Sequence, residues 1–287
     1  MSRPALAGQP DGASEPDVAG QPDVAGQPDV AGQPDVAGQP DVAGRRSLNR
    51  IDRPGTAEDA WASWPELRRL PVAHPQAWQS VVVVAAHPDD EVLGVGGTMA
   101  MLAAGGARLR LIAITDGEAS HPGTDPAVIA RTRVDESADA LDRLGARDID
   151  VVRLGLPDTG LAAREHELSD ILREQCAGFE VCLAPWEGDA HADHEAAGRA
   201  ARRAARRAGQ NAMTYPVWMW HWAVPGDRRV PWRRACRIAL PAEVADRKRS
   251  AIDAFASQLT DREAGLGPVV PPDVVAHFTR SQEVLLR

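Results

Sequence analysis

The sequence predicts an α/β fold, a doubly wound and mostly parallel sheet, behind a disordered N-terminal tail. Three observations predict it. The run Val81-Val82-Val83-Val84-Ala85-Ala86 is short, apolar and largely β-branched, the pattern of a strand buried on both faces. It stops abruptly at His87-Pro88-Asp89-Asp90-Glu91, and open α/β sheets put their sites just beyond strand ends. From Ser80 onward, strand-like and helix-like segments alternate, which implies right-handed βαβ units covered on both faces.

Residues 1–44 come first and stand apart. Pro4, Pro10, Pro16, Pro22, Pro28, Pro34 and Pro40 are each six apart, and the unit sharpens to Gly-Gln-Pro-Asp-Val-Ala. A proline in every unit and one valine per turn give a hexapeptide β-helix no continuous core, so the stretch reads as an extended, disordered acidic tail. Residues 45–79 form an N-terminal extension, where Trp61, Trp64 and Leu67 have helical spacing within 56–70 and could cap the domain.

The domain proper spans residues 80–287. Its first strand is 81–86, followed by a helix of small and apolar residues at 95–104. Strand two is 108–115. A helix at 126–144 ends at Gly145, a suitable C-terminal cap. Strand three is 149–154, a helix covers 165–176, strand four is 181–185, and an Ala/Arg-rich helix runs over 191–208. Beyond it, Trp218, Trp220 and Trp222 recur at period two, which predicts a strand over 213–222 with one face of indole rings. Those rings would pack on the core or wall a ligand cleft. A further strand is expected at 234–240 and a helix at 241–258, with a proline at its start.

Composition excludes several function classes. Of a formal net charge of -9, the tail carries -6 and the remainder only -3, so the domain is nearly balanced and nucleic acid is not its expected partner. Three sparse cysteines, Cys176, Cys182 and Cys236, give neither a disulfide framework nor a metal spacing. No apolar run approaches a membrane span and no signal core is present, so a cytoplasmic location is expected by default.

The chemistry gathers in two clusters. His87, Asp89 and Asp90 follow strand one; His191-Ala192-Asp193-His194 follows strand four. These strands are neighbours in the commonest doubly wound order, so the clusters converge at adjacent strand ends. Imidazole and carboxylate are ligands of catalytic zinc, which uses three protein groups and keeps a position for water; the set leaves groups over for acid–base work. Ferrous iron suits the same ligands. Gly94, Gly96 and Gly97 do not make a dinucleotide loop. Met99 stands where the third glycine should be, and Asp89, Asp90 and Glu91 would repel a pyrophosphate. These glycines read as close-packing positions. No Gly-x-Ser-x-Gly elbow is present.

Ala86-His87-Pro88-Asp89-Asp90-Glu91 with its Gly-rich helix start resembles the first motif of the PIG-L/LmbE-like zinc-dependent N-deacetylases, and His191-Ala192-Asp193-His194 resembles the second. Arg133-x-x-Glu136-x-x-x-Ala140-x-x-x-Leu144-Gly145 and Leu154-Gly155-Leu156-Pro157-Asp158 match between them, in order. Ala192 stands where the family usually has proline. The resemblance implies a Rossmann-like, LmbE-like deacetylase domain. It implies that His87, Asp90 and His194 bind zinc, that Asp89 is the general base and His191 the acid, and that Asp193 supports a histidine. By the same resemblance Arg133 and Asp158 contact substrate, although Arg133 reads equally as a solvated helix charge or a partner of Asp116 or Glu118. Other members carry a tyrosine just upstream of the second motif, where this chain has Trp186-Glu187-Gly188-Asp189. His221 either faces the cleft or packs in the core, and Glu91 is left as a helix N-terminal or supporting charge.

The expected activity is removal of an acetyl or other acyl group from an N-acetylated amino sugar, glycoconjugate or related small amide. An amidase acting on thiol conjugates is the rival within the enzyme class. A non-catalytic sugar-binding protein on the same fold is the rival outside it. Oligomeric state is open.

Overall fold

A computed structural model describes residues 50–287, so the repeats at 1–44, expected to be a disordered tail, lie outside the described residues. The strands are β1 (Ser80–Ala85), β2 (Arg108–Ala113), β3 (Asp150–Arg153), β4 (Val181–Pro185), β5 (Asn211–Tyr215), β6 (Ala235–Ala239) and β7 (Gln282–Leu286). The helices are α1 (Glu58–Ala62), α2 (Pro65–Arg69), α3 (Asp90–Ala104), α4 (Pro126–Leu144), α5 (Glu165–Gln175), α6 (Ala192–Ala208), α7 (Met219–Trp222), α8 (Ala242–Ile252), α9 (Ala256–Leu259) and α10 (Pro272–Val275).

They build one seven-stranded sheet of order β3-β2-β1-β4-β5-β7-β6. The pairs among β1 to β5 are parallel; β7 runs antiparallel to both β5 and β6. This is the α/β fold the alternation predicts, with β1 and β4 adjacent.

The run at β1 is central for a physical reason. Val81, Val83 and Ala85 enter the core layer that includes α3, α4 and α8 residues, while Val82, Val84 and Ala86 enter the layer with α5 and α6. Every one of them is fully buried, and an unbroken apolar run is what a strand covered on both faces requires. Two glycines then bring helices close. A Cβ on Gly94 of α3 would sit 2.2 Å from the Tyr215 ring, and one on Gly198 of α6 would sit 2.3 Å from the Pro185 carbonyl oxygen. Those approaches hold the helix starts, which carry the two motif clusters, against the ends of β5 and β4.

Several expectations are corrected. Residues 213–222 are not one strand: β5 ends at Tyr215, and Trp220 and Trp222 lie in the short helix α7. Pro216 supplies no N–H to continue a ladder, and the next three amides bond the Asp189 side chain instead. The expected helix at 56–70 is two, because Trp64 before Pro65 is held extended. The helix expected at 241–258 breaks after Ile252 into α8 and α9. The helix expected from 95 begins five residues earlier, at Asp90. The C-terminal segment forms β7, a strand for which no expectation stood.

The extension is bonded firmly to the domain. Trp61 donates Nε1–H to the Trp220 carbonyl at 2.9 Å, within an edge-packed group of Trp61, Trp64, Trp220 and Trp232. Glu58 pairs with Arg280 and with His277 Nδ1 at 2.7 Å. No helix among the described residues is long and apolar enough to cross a membrane.

Candidate active site

Loops at the carboxyl ends of β1, β2, β3, β4 and β5, with the 258–274 segment, close around a pocket of about 200 Å³. Its polar lining includes His87, Asp89, Asp90, Arg133, Asp158, His191 and His194, with Ser120, Thr159, Gln258 and Arg262 also present; Leu93, Val217, Trp218, Val269, Val270 and Val274 are among its apolar residues. Three non-glycine residues with positive φ sit in these loops: Asp89 (130°), Thr159 (64°) and Ala190 (67°). Each such backbone costs of order 1–3 kcal/mol and persists only where surroundings enforce it. The strain here falls at the turns that present the ionisable groups.

Asp90, at the start of α3, holds the two clusters together. Its Oδ1 is 3.1 Å from His194 Nε2 and its Oδ2 is 3.5 Å from His87 Nδ1. Oδ2 also accepts the His87 backbone N–H at 2.9 Å. The far nitrogen of His87, Nε2, lies 3.2 Å from Asp158 Oδ1 and 3.4 Å from Asp193 Oδ2. His191 packs close by, edge-on to His87 with ring centroids 4.9 Å apart and tilted against His194 at 4.6 Å. Donor atoms of His87, His191 and His194 lie within 4.8 Å of one another, as do those of His87, Asp158 and Asp193.

The electrostatics favour positive charge at His87 and His194. Burial alone would lower both imidazoles, but it is outweighed at His87 by hydrogen bonds to Asp158, Asp193 and Asp90, which raise it well above the ordinary range. Burial at His194 is likewise outweighed by Asp90 and Asp189, which carry it to about 9. Asp90 falls well below the usual carboxylate range; burial opposes this, and His194 and His87 prevail. Imidazoles and carboxylates gathered this closely are the donor set that suits a divalent metal ion, which binds the imidazoles in their neutral form.

The remaining expected residues fall in the same place with distinct surroundings. Asp89 is pushed up to about 7 by burial, against the pull of Arg133. Arg133 Nη2 is 3.3 Å from Asp89 Oδ2; the same guanidinium donates to the carbonyls of Pro88 (2.6 Å) and Gly117 (3.1 Å). It is therefore neither a solvated charge nor a partner of Asp116 or Glu118. Asp116 pairs with Arg153, and Glu118 accepts the Asp158 N–H at 2.9 Å. Asp193 is fully enclosed and accepts the N–H groups of Thr159 (2.7 Å) and Leu161 (3.1 Å), tying the β3 loop to α6 beneath His87. His191 is driven well below the ordinary imidazole range by burial and by its neighbours His194 and His87, so its resting ring is neutral. Glu91 is not a helix-end charge: burial raises it to about 8 and leaves it protonated near neutrality. His221 packs away from the pocket, its Nε2 2.9 Å from the Arg53 carbonyl oxygen.

The tryptophans divide between the two roles that period two left open. Trp218 walls the pocket, whereas Trp220 is in the core and Trp222 stacks near Trp186. The residue that sequence reasoning passed over is Asp189. Fully buried, it lies 2.8 Å from His194 Nδ1. A carboxylate two positions before His191 was the available signal.

A family model described as "PIG-L: GlcNAc-PI de-N-acetylase" matches residues 82–205, which contain both clusters. A 1D-myo-inositol 2-acetamido-2-deoxy-alpha-D-glucopyranoside deacetylase of Catenulispora acidiphila is 38% identical over 97 residues, covering 34% of this chain and 28% of that protein. A diacetylchitobiose deacetylase of Thermococcus kodakarensis is 31% identical over 128 residues, 42% of this chain and 46% of that one. The chain thus spans less than half the length of either relative. Among solved structures, the N,N'-diacetylchitobiose deacetylase of Pyrococcus horikoshii superposes with a TM-score of 0.51 at 21% identity, over 72% of this chain and 81% of that one. A deacetylase–teicoplanin complex gives 0.51 at 19% identity, over 63% and 88%. These two share the fold.

Proposed function

We propose, from the premise that residues 82–205 are a PIG-L (LmbE-like) domain, that the protein is a metal-dependent hydrolase removing an acetyl or related acyl group from an N-acylated amino sugar or glycoconjugate. One observation carries the reading. Asp90 lies between His87 and His194, and Asp89 stands beside them in a single pocket. The deacetylase activities of the relatives agree with it.

His87, Asp90 and His194 would hold the metal, with zinc the first expectation and ferrous iron the second. A divalent cation there would supply Lewis acidity toward an amide carbonyl and lower the pKa of water. Asp89, ionised, takes the proton of the attacking water; a carboxylate raised to about 7 is suited to that work near neutral pH. The same carboxyl then passes a proton to the departing amine. His191, neutral at rest, donates an N–H hydrogen bond to the carbonyl oxygen as negative charge builds on it. The acid role expected of it requires the ring to gain a proton, which its burial opposes. Arg133 keeps Asp89 in place and ionisable, and Asp193 braces His87 directly while also holding the β3 loop. Trp218 and the valines of the opposite wall offer an apolar face to a sugar ring.

The test is acetate release from N-acetylglucosaminides by zinc-loaded protein, alongside cleavage of N-acylated thiol conjugates. Acetate release lost in His194→Ala together with metal uptake supports the reading. A wild-type protein that takes up metal yet hydrolyses neither class contradicts it.

A further inference from the structure

We infer that Asp189 is a positioning residue, resting on the reading that His194 holds the metal: it turns His194 Nε2 toward the site and fixes that histidine to the 217–219 segment, whose Val217 and Trp218 line the pocket. The Asp189 carboxylate is fully enclosed, and a buried carboxylate needs donors. Four satisfy it. Oδ1 accepts the backbone N–H groups of Val217 (3.1 Å) and Met219 (2.8 Å). Oδ2 accepts the Trp218 N–H (2.9 Å) and faces His194 Nδ1 at 2.8 Å.

An ionised carboxylate only accepts, so His194 Nδ1 must carry a hydrogen. Nε2 is then the nitrogen left for a ligand, and it points to Asp90, 3.1 Å away. A histidine held by a carboxylate on its far nitrogen is fixed in tautomer and ring orientation. Here the same two oxygens also hold three consecutive amides that β5 does not pair. The apolar wall at Val217 and Trp218 is therefore placed by the group that orients the histidine.

Asparagine separates this role from simple packing. Its carbonyl oxygen can keep the Val217 and Met219 bonds, but its NH₂ then faces the Trp218 N–H and the hydrogen on His194 Nδ1. His194 would have to move its hydrogen to Nε2, the nitrogen needed for the metal.

The experiment uses the full chain and zinc ion alone. Long-range ¹H–¹⁵N NMR of the zinc-loaded, histidine-labelled wild type should show His194 with hydrogen on Nδ1 and zinc on Nε2. Chelator competition should show Asp189→Asn binding zinc about 10–100-fold more weakly than wild type. Zinc on Nδ1 of wild-type His194, or an Asp189→Asn zinc Kd within twofold of wild type, would overturn the inference while leaving the metal site standing. A wild type that takes up no zinc would overturn the metal reading and this inference with it. The wild-type spectrum decides the matter even if the variant does not fold.

Discussion

Asp89 Oδ2 lies 3.3 Å from Arg133 Nη2, with both side chains buried. Arg133 therefore stands against the proposed base, inside the protein, and its charge favours the ionised carboxylate. Arg133→Met removes that charge while keeping much of the side-chain volume. The pKa of Asp89 then rises further, and the base must be ionised to act. The acid limb of kcat/KM for acetate release is expected to move to higher pH, with a larger loss at pH 6 than at pH 9. A pH–rate profile checks this, and an unmoved acid limb would count against Asp89 as the base.

Gly198 sets how closely α6, and with it His191 and His194, approaches the end of β4. An alanine Cβ there would lie 2.3 Å from the Pro185 carbonyl oxygen and 3.0 Å from the Glu187 nitrogen. Backbone atoms cannot rotate aside. Gly198→Ala is expected to destabilise the fold by about 1–3 kcal/mol, the usual scale of overpacking, read by chemical denaturation. Wild-type stability in the variant would show that α6 does not need this approach.

Glu58 joins the N-terminal extension to Arg280 and His277 near the C-terminus. Burial raises its pKa, but the hydrogen bonds to Arg280 and His277 outweigh it and leave Glu58 below its ordinary 4.5. A carboxyl depressed in the folded state contributes stability above its unfolded pKa and loses it as pH falls through the folded one. Glu58→Gln is expected to cost about 1–2 kcal/mol at pH 7, a charge-assisted bond discounted for partial exposure. The gap to wild type should close as pH drops below about 4. Urea titrations at pH 7 and pH 3 measure it, and a gap that stays constant would contradict the pairing.

Much of this architecture was legible in the sequence because local pattern and burial agree. The valines of β1 are apolar on both faces and are buried on both faces. The helices at 126–144 and 192–208 end at Gly145 and Gly209, each in the left-handed conformation. The convergence of His87, Asp89, Asp90, His191 and His194 followed from strand order, since β1 and β4 pair directly. What failed was decided at long range. Trp218, Trp220 and Trp222 mimic a strand, but a carboxylate some thirty residues away takes the amides a strand would have used. Asp189, only five residues before His194, carries no motif of its own, and its bonds to the 217–219 amides are the long-range part of its role. The protonation of Glu91 and the neutrality of His191 are consequences of burial, which residue type alone does not reveal.

The division of labour between Asp89 and the metal-holding residues is the centre of this account. Asp89→Ala, assayed for bound zinc and for acetate release from an N-acetylglucosaminide, tests it most directly. The expected result is zinc content equal to wild type with turnover reduced by about 10²–10⁴-fold, the usual weight of a general base. Full turnover in zinc-loaded Asp89→Ala, or loss of zinc together with turnover, would contradict it.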